Sequence, residues 1–228
     1  MFPVVLVDGL DAVPAAVAAL GLDRPRPVLV LVGGAGGLSD EKDLAAVFTD
    51  VLAPAVRRHH AIAVDGGTDS GVMRLLGQAR DGFPLVGVAA LGTVTYPGHP
   101  GTPIPDAAPL EEHHTHFVLI EPAREWGDEI PYLAAVASAL SAGPGVTVLV
   151  NGGELTLLDA EQSLARHRPV LVLAGTGRTA DKIAAAATQP ADDRFSAIAA
   201  SPLVRVLDVT DHDAVAAALD DYLTRRAP

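Results

Sequence analysis

The chain has 228 residues, 49% apolar and 19% charged, with 22 Gly, 18 Pro and no Cys, and 28 acids against 16 bases give a formal charge of −12. An apolar fraction of that size, spread in short periodic groups, excludes disorder as the main state and fits one globular domain over 1–228. The negative charge, with Arg scattered instead of striped, excludes nucleic acid as a partner, and the missing Cys removes disulfides, thiolate metal sites and a cysteine nucleophile.

In chain order, Met1-Phe2-Pro3 has no basic leader segment and Asp8 interrupts any apolar signal core. Ala12 to Leu22 is far shorter than the roughly 20 residues of a bilayer span, so no membrane contact is expected and the chain reads as cytoplasmic. A strand at Val4 to Val7 and a helix at Ala12 to Leu20 precede Val28 to Gly33, a continuous apolar run of the kind buried on both faces. Leu44, Val47, Phe48, Val51 and Leu52 then follow helical spacing within a helix predicted from about Asp40 to Arg57. The unit of strand, glycine loop and helix recurs three times. It appears at His60 to Asp65 with Gly66-Gly67-Thr68 and a helix over Asp69 to Arg80, and at Val146 to Val150 with Asn151-Gly152-Gly153 and a helix over Leu155 to His167. The last copy is Pro169 to Ala174 with Gly175-Thr176-Gly177 and a helix over Arg178 to Thr188. Further strands are predicted at Pro84 to Ala90, Thr115 to Glu121 and Leu203 to Val209, and further helices at Ile130 to Leu140 and Asp213 to Arg225. Alternation with short loops predicts a Rossmann-like three-layer α/β domain with a mostly parallel sheet. Only Gly92 to Glu112 breaks the rhythm. Its five prolines and three glycines fit no regular element, which leaves a functional lid or a surface excursion.

In such a sheet the glycine loops share the edge formed by the strand C-termini, and each opens a helix whose N–H groups suit phosphate. Gly33 to Lys42 lacks the Gly-Lys-Ser/Thr ending of a Walker A loop, and Ser39 stands where a dinucleotide fingerprint read from Gly34 needs glycine. Four segments carry a more specific pattern: Val64-Asp-Gly-Gly-Thr-Asp-Ser-Gly-Val-Met73, His114-Thr-His-Phe117, Val150-Asn-Gly-Gly-Glu154, and Pro169 through Gly175-Thr-Gly-Arg178 to Asp181. Together with the Gly33 to Gly37 loop they resemble, in order, the motifs of the SLOG superfamily. The resemblance is to the branch found in the N-terminal region of melastatin-type TRP channels and in its prokaryotic relatives, the LSDAT family, and it spans about Val28 to Asp181.

The resemblance implies a bacterial sensor of a nucleotide-derived ligand of ADP-ribose or NAD type, with no further cofactor. It would bind in a crevice lined by Gly34, Gly36, Gly66, Gly67, Thr68, Gly152, Gly153, Glu154, Gly175, Thr176, Gly177 and Arg178, and Arg178 would meet a phosphate or ribose. A homo-oligomer accords with the superfamily, though no apolar stripe marks one, and the effector protein is not named by the sequence. The more distant LOG branch cleaves N-glycosidic bonds with a Pro-Gly-Gly-x-Gly-Thr-x-x-Glu motif. Here Leu155 replaces the third glycine and Asp159 the glutamate, so an N-glycosidase or phosphoribohydrolase is the alternative, with Glu154 a substitute acid. His113, His114 and His116 offer a weak metal reading against hydrogen bonding to ligand or backbone; no metal site is assigned. Trp126 either stacks on a base or pins the helix behind it.

Overall fold

In a computed structural model of the protein, which describes residues 3–34, 41–141 and 143–224, a single sheet organises the chain. The elements are β1 (Val4–Val7), α1 (Val13–Ala19), β2 (Val28–Gly33), α2 (Glu41–Val47), α3 (Ala53–Arg58), β3 (Ile62–Asp65), α4 (Gly71–Ala79), β4 (Leu85–Ala90), β5 (Val94–Thr95), β6 (Ala108–Pro109) and β7 (His116–Ile120). There follow α5 (Ile130–Leu140), β8 (Gly145–Val150), α6 (Glu154–Ala165), β9 (Val170–Ala174), α7 (Arg178–Thr188), α8 (Arg194–Ala199), β10 (Val204–Asp208) and α9 (His212–Thr224). Eight strands pair in the order β1-β7-β4-β3-β2-β8-β9-β10, every pair parallel, and β5 pairs with β6 apart from them.

The period-two geometry of a strand explains the three layers. In β2, Val28, Val30 and Val32 enter one core with α1 and α5 to α8, while Leu29 and Leu31 enter the other with α2 to α4 and α9. Both faces being covered, the run has no polar alternation, as a parallel sheet requires. The predicted α/β architecture is therefore the observed one.

Element ends shift by one or two residues in most cases. β3 starts at Ile62 instead of His60, because His60 takes a left-handed φ of 50° that ends the preceding helix. The long helix after β2 is interrupted by a wider turn at Phe48–Leu52, in which the Ala53 N–H reaches the Phe48 carbonyl. Pro54 follows that turn. It has no N–H, and its ring crowds the carbonyl of the preceding turn, which accounts for the widening. The 92–112 segment does contain regular structure: Leu91–Thr93 form a single 3-10 turn, and β5 and β6 bring the two ends of the loop together. Helix α8 was not expected; Asp193 caps it by accepting the Ser196 N–H at 2.8 Å. Arg225, the predicted end of α9, lies outside the described residues, as does Gly36.

Candidate functional site

The chain enters the sheet interior at β2, builds outward through β3 and β4 on one side, and then returns to lay β8 against the other side of β2. Strand C-termini at such a reversal splay apart and leave a crevice. A cavity of about 610 Å³ opens there. Gly33 and Gly34 close its floor, Gly66, Thr68, Ser70 and Met73 form the wall leading into α4, and Ala89 and Thr93 extend that wall. Trp126, Glu129 and Leu133 come from the entry to α5, Gly153 to Thr156 and Asp159 from the start of α6, and Arg178 from the start of α7. Asp106 and Ala108 of the 92–112 loop complete the rim, where the Trp126 indole N–H donates to Asp106 Oδ2 at 3.1 Å.

Of the residues singled out from the sequence, Gly34, Gly66, Thr68, Gly153, Glu154 and Arg178 thus line one cavity. Gly67, Gly152, Gly175, Thr176 and Gly177 stand behind it. Gly67, at φ +70°, packs against the sheet: a Cβ there would lie 2.8 Å from Gly87 Cα and 3.0 Å from Phe117. Thr176 is buried and ties two loops, its hydroxyl accepting the Asn151 N–H at 2.8 Å and donating to the Leu173 carbonyl at 2.7 Å.

Two helix starts face this edge and differ in what they offer. At α7 the N–H groups of Thr179 and Ala180 are already bonded to the carbonyls of Gly152 and Asn151, at 3.2 and 3.1 Å. At α6 the first intrahelical bond is Leu157 N–H to the Gly153 carbonyl, so the N–H groups of Glu154, Leu155 and Thr156 make no hydrogen bond among the described residues. These donors and the helix dipole favour an anion at α6. The Arg178 guanidinium reaches over the same turn, since a Cβ on Gly153 would lie 2.9 Å from its Nη2. Arg178 gets there from a left-handed backbone, φ 52°, an unusual conformation for a side chain of its size.

The acidic groups separate into two kinds. Glu154 is exposed and ion-paired with Arg194, which also holds Glu161. Asp159 and Glu129 face the cavity. Burial pushes the Asp159 carboxyl well above the usual range, and the nearby Glu129 charge adds to the rise. Burial raises Glu129 as well, although its carboxylate accepts the Gly127 N–H at 3.0 Å. In the sequence Glu129 ends the family-like segment Arg124 to Glu129 just before an apolar helix, where only Trp126 was singled out.

Beneath the Gly66 wall lies a buried charge network. His114 Nε2 sits 2.7 Å from Asp65 Oδ1 and Nδ1 2.8 Å from Glu111 Oε2. Burial opposes the charge on His114, but the two carboxylates prevail and raise its pKa to about 9, so at neutral pH both ring nitrogens donate. Asp65 Oδ1 also accepts the Gly67 N–H at 2.7 Å, and the Glu111 N–H bonds the Gly67 carbonyl at 2.9 Å. Thus β3, the glycine loop and the end of the 92–112 loop are fixed through one imidazolium. His116 does not share it; its Nδ1 lies 2.8 Å from Thr115 Oγ1. Among the described residues no group of three or more His, Asp and Glu is arranged to hold a metal ion.

The family described as SLOG in TRPM, prokaryote, matches residues 26–218. The chain belongs to that family. It is also 28% identical over 211 residues to transient receptor potential cation channel subfamily M member 2 of Mus musculus, covering 76% of this chain and 14% of the channel. The Rattus norvegicus channel of the same name is 26% identical over the same coverage, and a member-like 2 protein of Nematostella vectensis is 26% identical over 202 residues, covering 71% of this chain and 13% of the other. The chain therefore spans about one seventh of the length of the curated relatives it matches. No helix among the described residues is long and apolar enough to cross a membrane.

Proposed function

We propose that this family member binds a nucleotide-derived ligand of ADP-ribose or NAD type in the crevice and serves as a ligand sensor. The observation that carries the reading is the pairing, at one end of the cavity, of unbonded α6 N–H groups with the Arg178 guanidinium. Backbone donors, a helix dipole and a guanidinium suit a phosphate, and the hydroxyl and carboxyl groups farther along suit a ribose. The 92–112 loop, with Asp106 and Ala108 on the rim, would close over the ligand. In this reading the protein works in the cytoplasm and passes its signal to another protein or to another copy of itself.

A second reading rests on Asp159. Its carboxyl faces the cavity beside Glu129, and both hold their protons to higher pH than usual, the condition for general acid catalysis on a glycosidic bond. Glu154, tied to Arg194, is not suited to that role. A thermal-shift screen with ADP-ribose, NAD, AMP and ATP, followed by chromatography of the mixtures, separates the readings. Ligand at a hundred times its dissociation constant adds about 2.7 kcal/mol of stability. A shift with intact ligand supports the sensor, release of a free base that is lost in Asp159→Ala supports the hydrolase, and no shift with any of them refutes both.

A further inference from the structure

Glu154, the first residue of α6, borders the crevice where its N–H donors lie open. An acid in the first turn of a helix is drawn to free N–H groups and to the positive end of the dipole, the same features a phosphate would use. Helical side chains also lean toward the N-terminus, which carries an unrestrained Glu154 over those donors. Its side chain is 65% exposed, and among the described residues its carboxylate bonds only Arg194, so Arg194 sets its direction. The rest of that guanidinium is committed elsewhere. Its Nε and Nη2 donate to the two Glu161 oxygens at 2.8 and 2.9 Å, about two turns further along α6, so the ion pair draws Glu154 back from the helix start. Arg194 itself opens α8, whose start is held by the Asp193 cap and by the Ala191 N–H donating to Ser196 Oγ at 2.8 Å. The Lys182 ammonium of α7, 5.2 Å from the centre of the Phe195 ring, pins the same turn.

Resting on the phosphate contact of the reading above, we propose that Arg194 is a positioning residue for anion binding: by holding and neutralising Glu154 it keeps the α6 donors open to the ligand. The Glu154 carboxylate is then a competitor of the ligand and not a contact for it. Without Arg194 it falls over the helix start, takes donors that a phosphate would use and repels the phosphate through like charge. Glu161, two turns from the helix start, lacks that reach. Helix α8 thus serves recognition although none of its residues lines the crevice.

The test is calorimetric titration of ADP-ribose, and separately of inorganic pyrophosphate, at low ionic strength where exposed charges are least screened. The proteins are the unaltered chain, Arg194→Ala, and Arg194→Ala combined with either Glu154→Gln or Glu161→Gln, and the melting temperature of each without ligand checks folding. Arg194→Ala is expected to weaken binding about 3- to 10-fold, the size of an exposed charge acting on a helix start. Adding Glu154→Gln is expected to return the affinity to within about twofold of the unaltered chain, as for two residues acting through one contact. Adding Glu161→Gln changes the net charge equally but two turns away, and is expected to leave binding weak. Unchanged affinity in Arg194→Ala, equal recovery with either glutamine, or recovery with neither overturns the positioning role and leaves the nucleotide reading standing. Pyrophosphate following the expected pattern while ADP-ribose fails to bind overturns the nucleotide reading alone, and failure of both to bind the unaltered chain overturns the two together.

Discussion

Replacing His114 with Gln removes the imidazolium that bridges the buried carboxylates of Asp65 and Glu111 while keeping an amide that can donate to one of them. Asp65 is fully buried and Glu111 is 2% exposed, so neither can recover hydration without local opening. Breaking a buried pair from one side costs about 3–5 kcal/mol. The pH dependence makes the test specific. His114 has a folded-state pKa of about 9 against an unfolded value near 6.5, so the folded state binds the extra proton between those limits. Its stabilisation is fully present below about pH 6.5 and is lost as pH rises through about 9, amounting to about 3 kcal/mol over the window. For a chain of this length each kcal/mol moves the melting temperature by about 2–4 °C, so the loss is about 6–12 °C. Melting temperatures of the unaltered protein and of His114→Gln, measured from about pH 6 to about pH 10, are expected to differ most at the acid end and to converge above about pH 9. Arg168, which burial lowers to about 10, titrates near the alkaline limit in both proteins and cancels in the difference. Parallel curves across the range would refute the buried imidazolium.

Two more substitutions examine the surroundings. Gly77→Ala lies within α4, where exchanging glycine for alanine ordinarily stabilises, yet a Cβ there would fall 2.2–2.6 Å from the Glu111 carboxyl. Overpacking by about 1–3 kcal/mol is expected to win, read as a lower urea midpoint at unchanged slope; a stabilised variant would place Glu111 elsewhere. Arg178→Ala removes the guanidinium above α6 from an exposed position. It is expected to weaken binding of the responding nucleotide about 10- to 100-fold by calorimetry while moving the melting temperature by less than about 2 °C, and unchanged affinity would take the phosphate away from this end.

What the sequence revealed and what it hid follow from the range of the forces involved. Helices Ile130–Leu140 and Arg178–Thr188 and strands Val4–Val7 and Val28–Gly33 were legible to the residue, because apolar period and flanking Pro or Gly are local signals. Helix α8 is too short to show a period, and only the Asp193 cap announced it. β5 and β6, two residues each, were hidden by the proline content around them. For the site, glycine spacing gave the sheet edge but not which glycine faces the cavity, since that depends on neighbouring strands such as β4 behind Gly67. The His cluster suggested a shared ligand; its actual partners include Asp65, 49 residues earlier, which no spacing rule connects to it. Equally, the capping of α7 by Asn151 and Gly152 carbonyls requires the packing of two separate loops, and it decides which helix start is left open.

Asn151 and Arg178, at φ 57° and 52°, are both non-glycine residues in left-handed backbone at this edge, each beside a glycine. Such a conformation costs about 1–2 kcal/mol that glycine would not incur. Selection for thermal stability alone would therefore drift toward glycine at both positions, discarding the Asn151 amide that joins the Thr176 carbonyl and the Arg178 charge over α6. In an engineering campaign the two codons would register as easy gains in melting temperature and as the first places where recognition disappears.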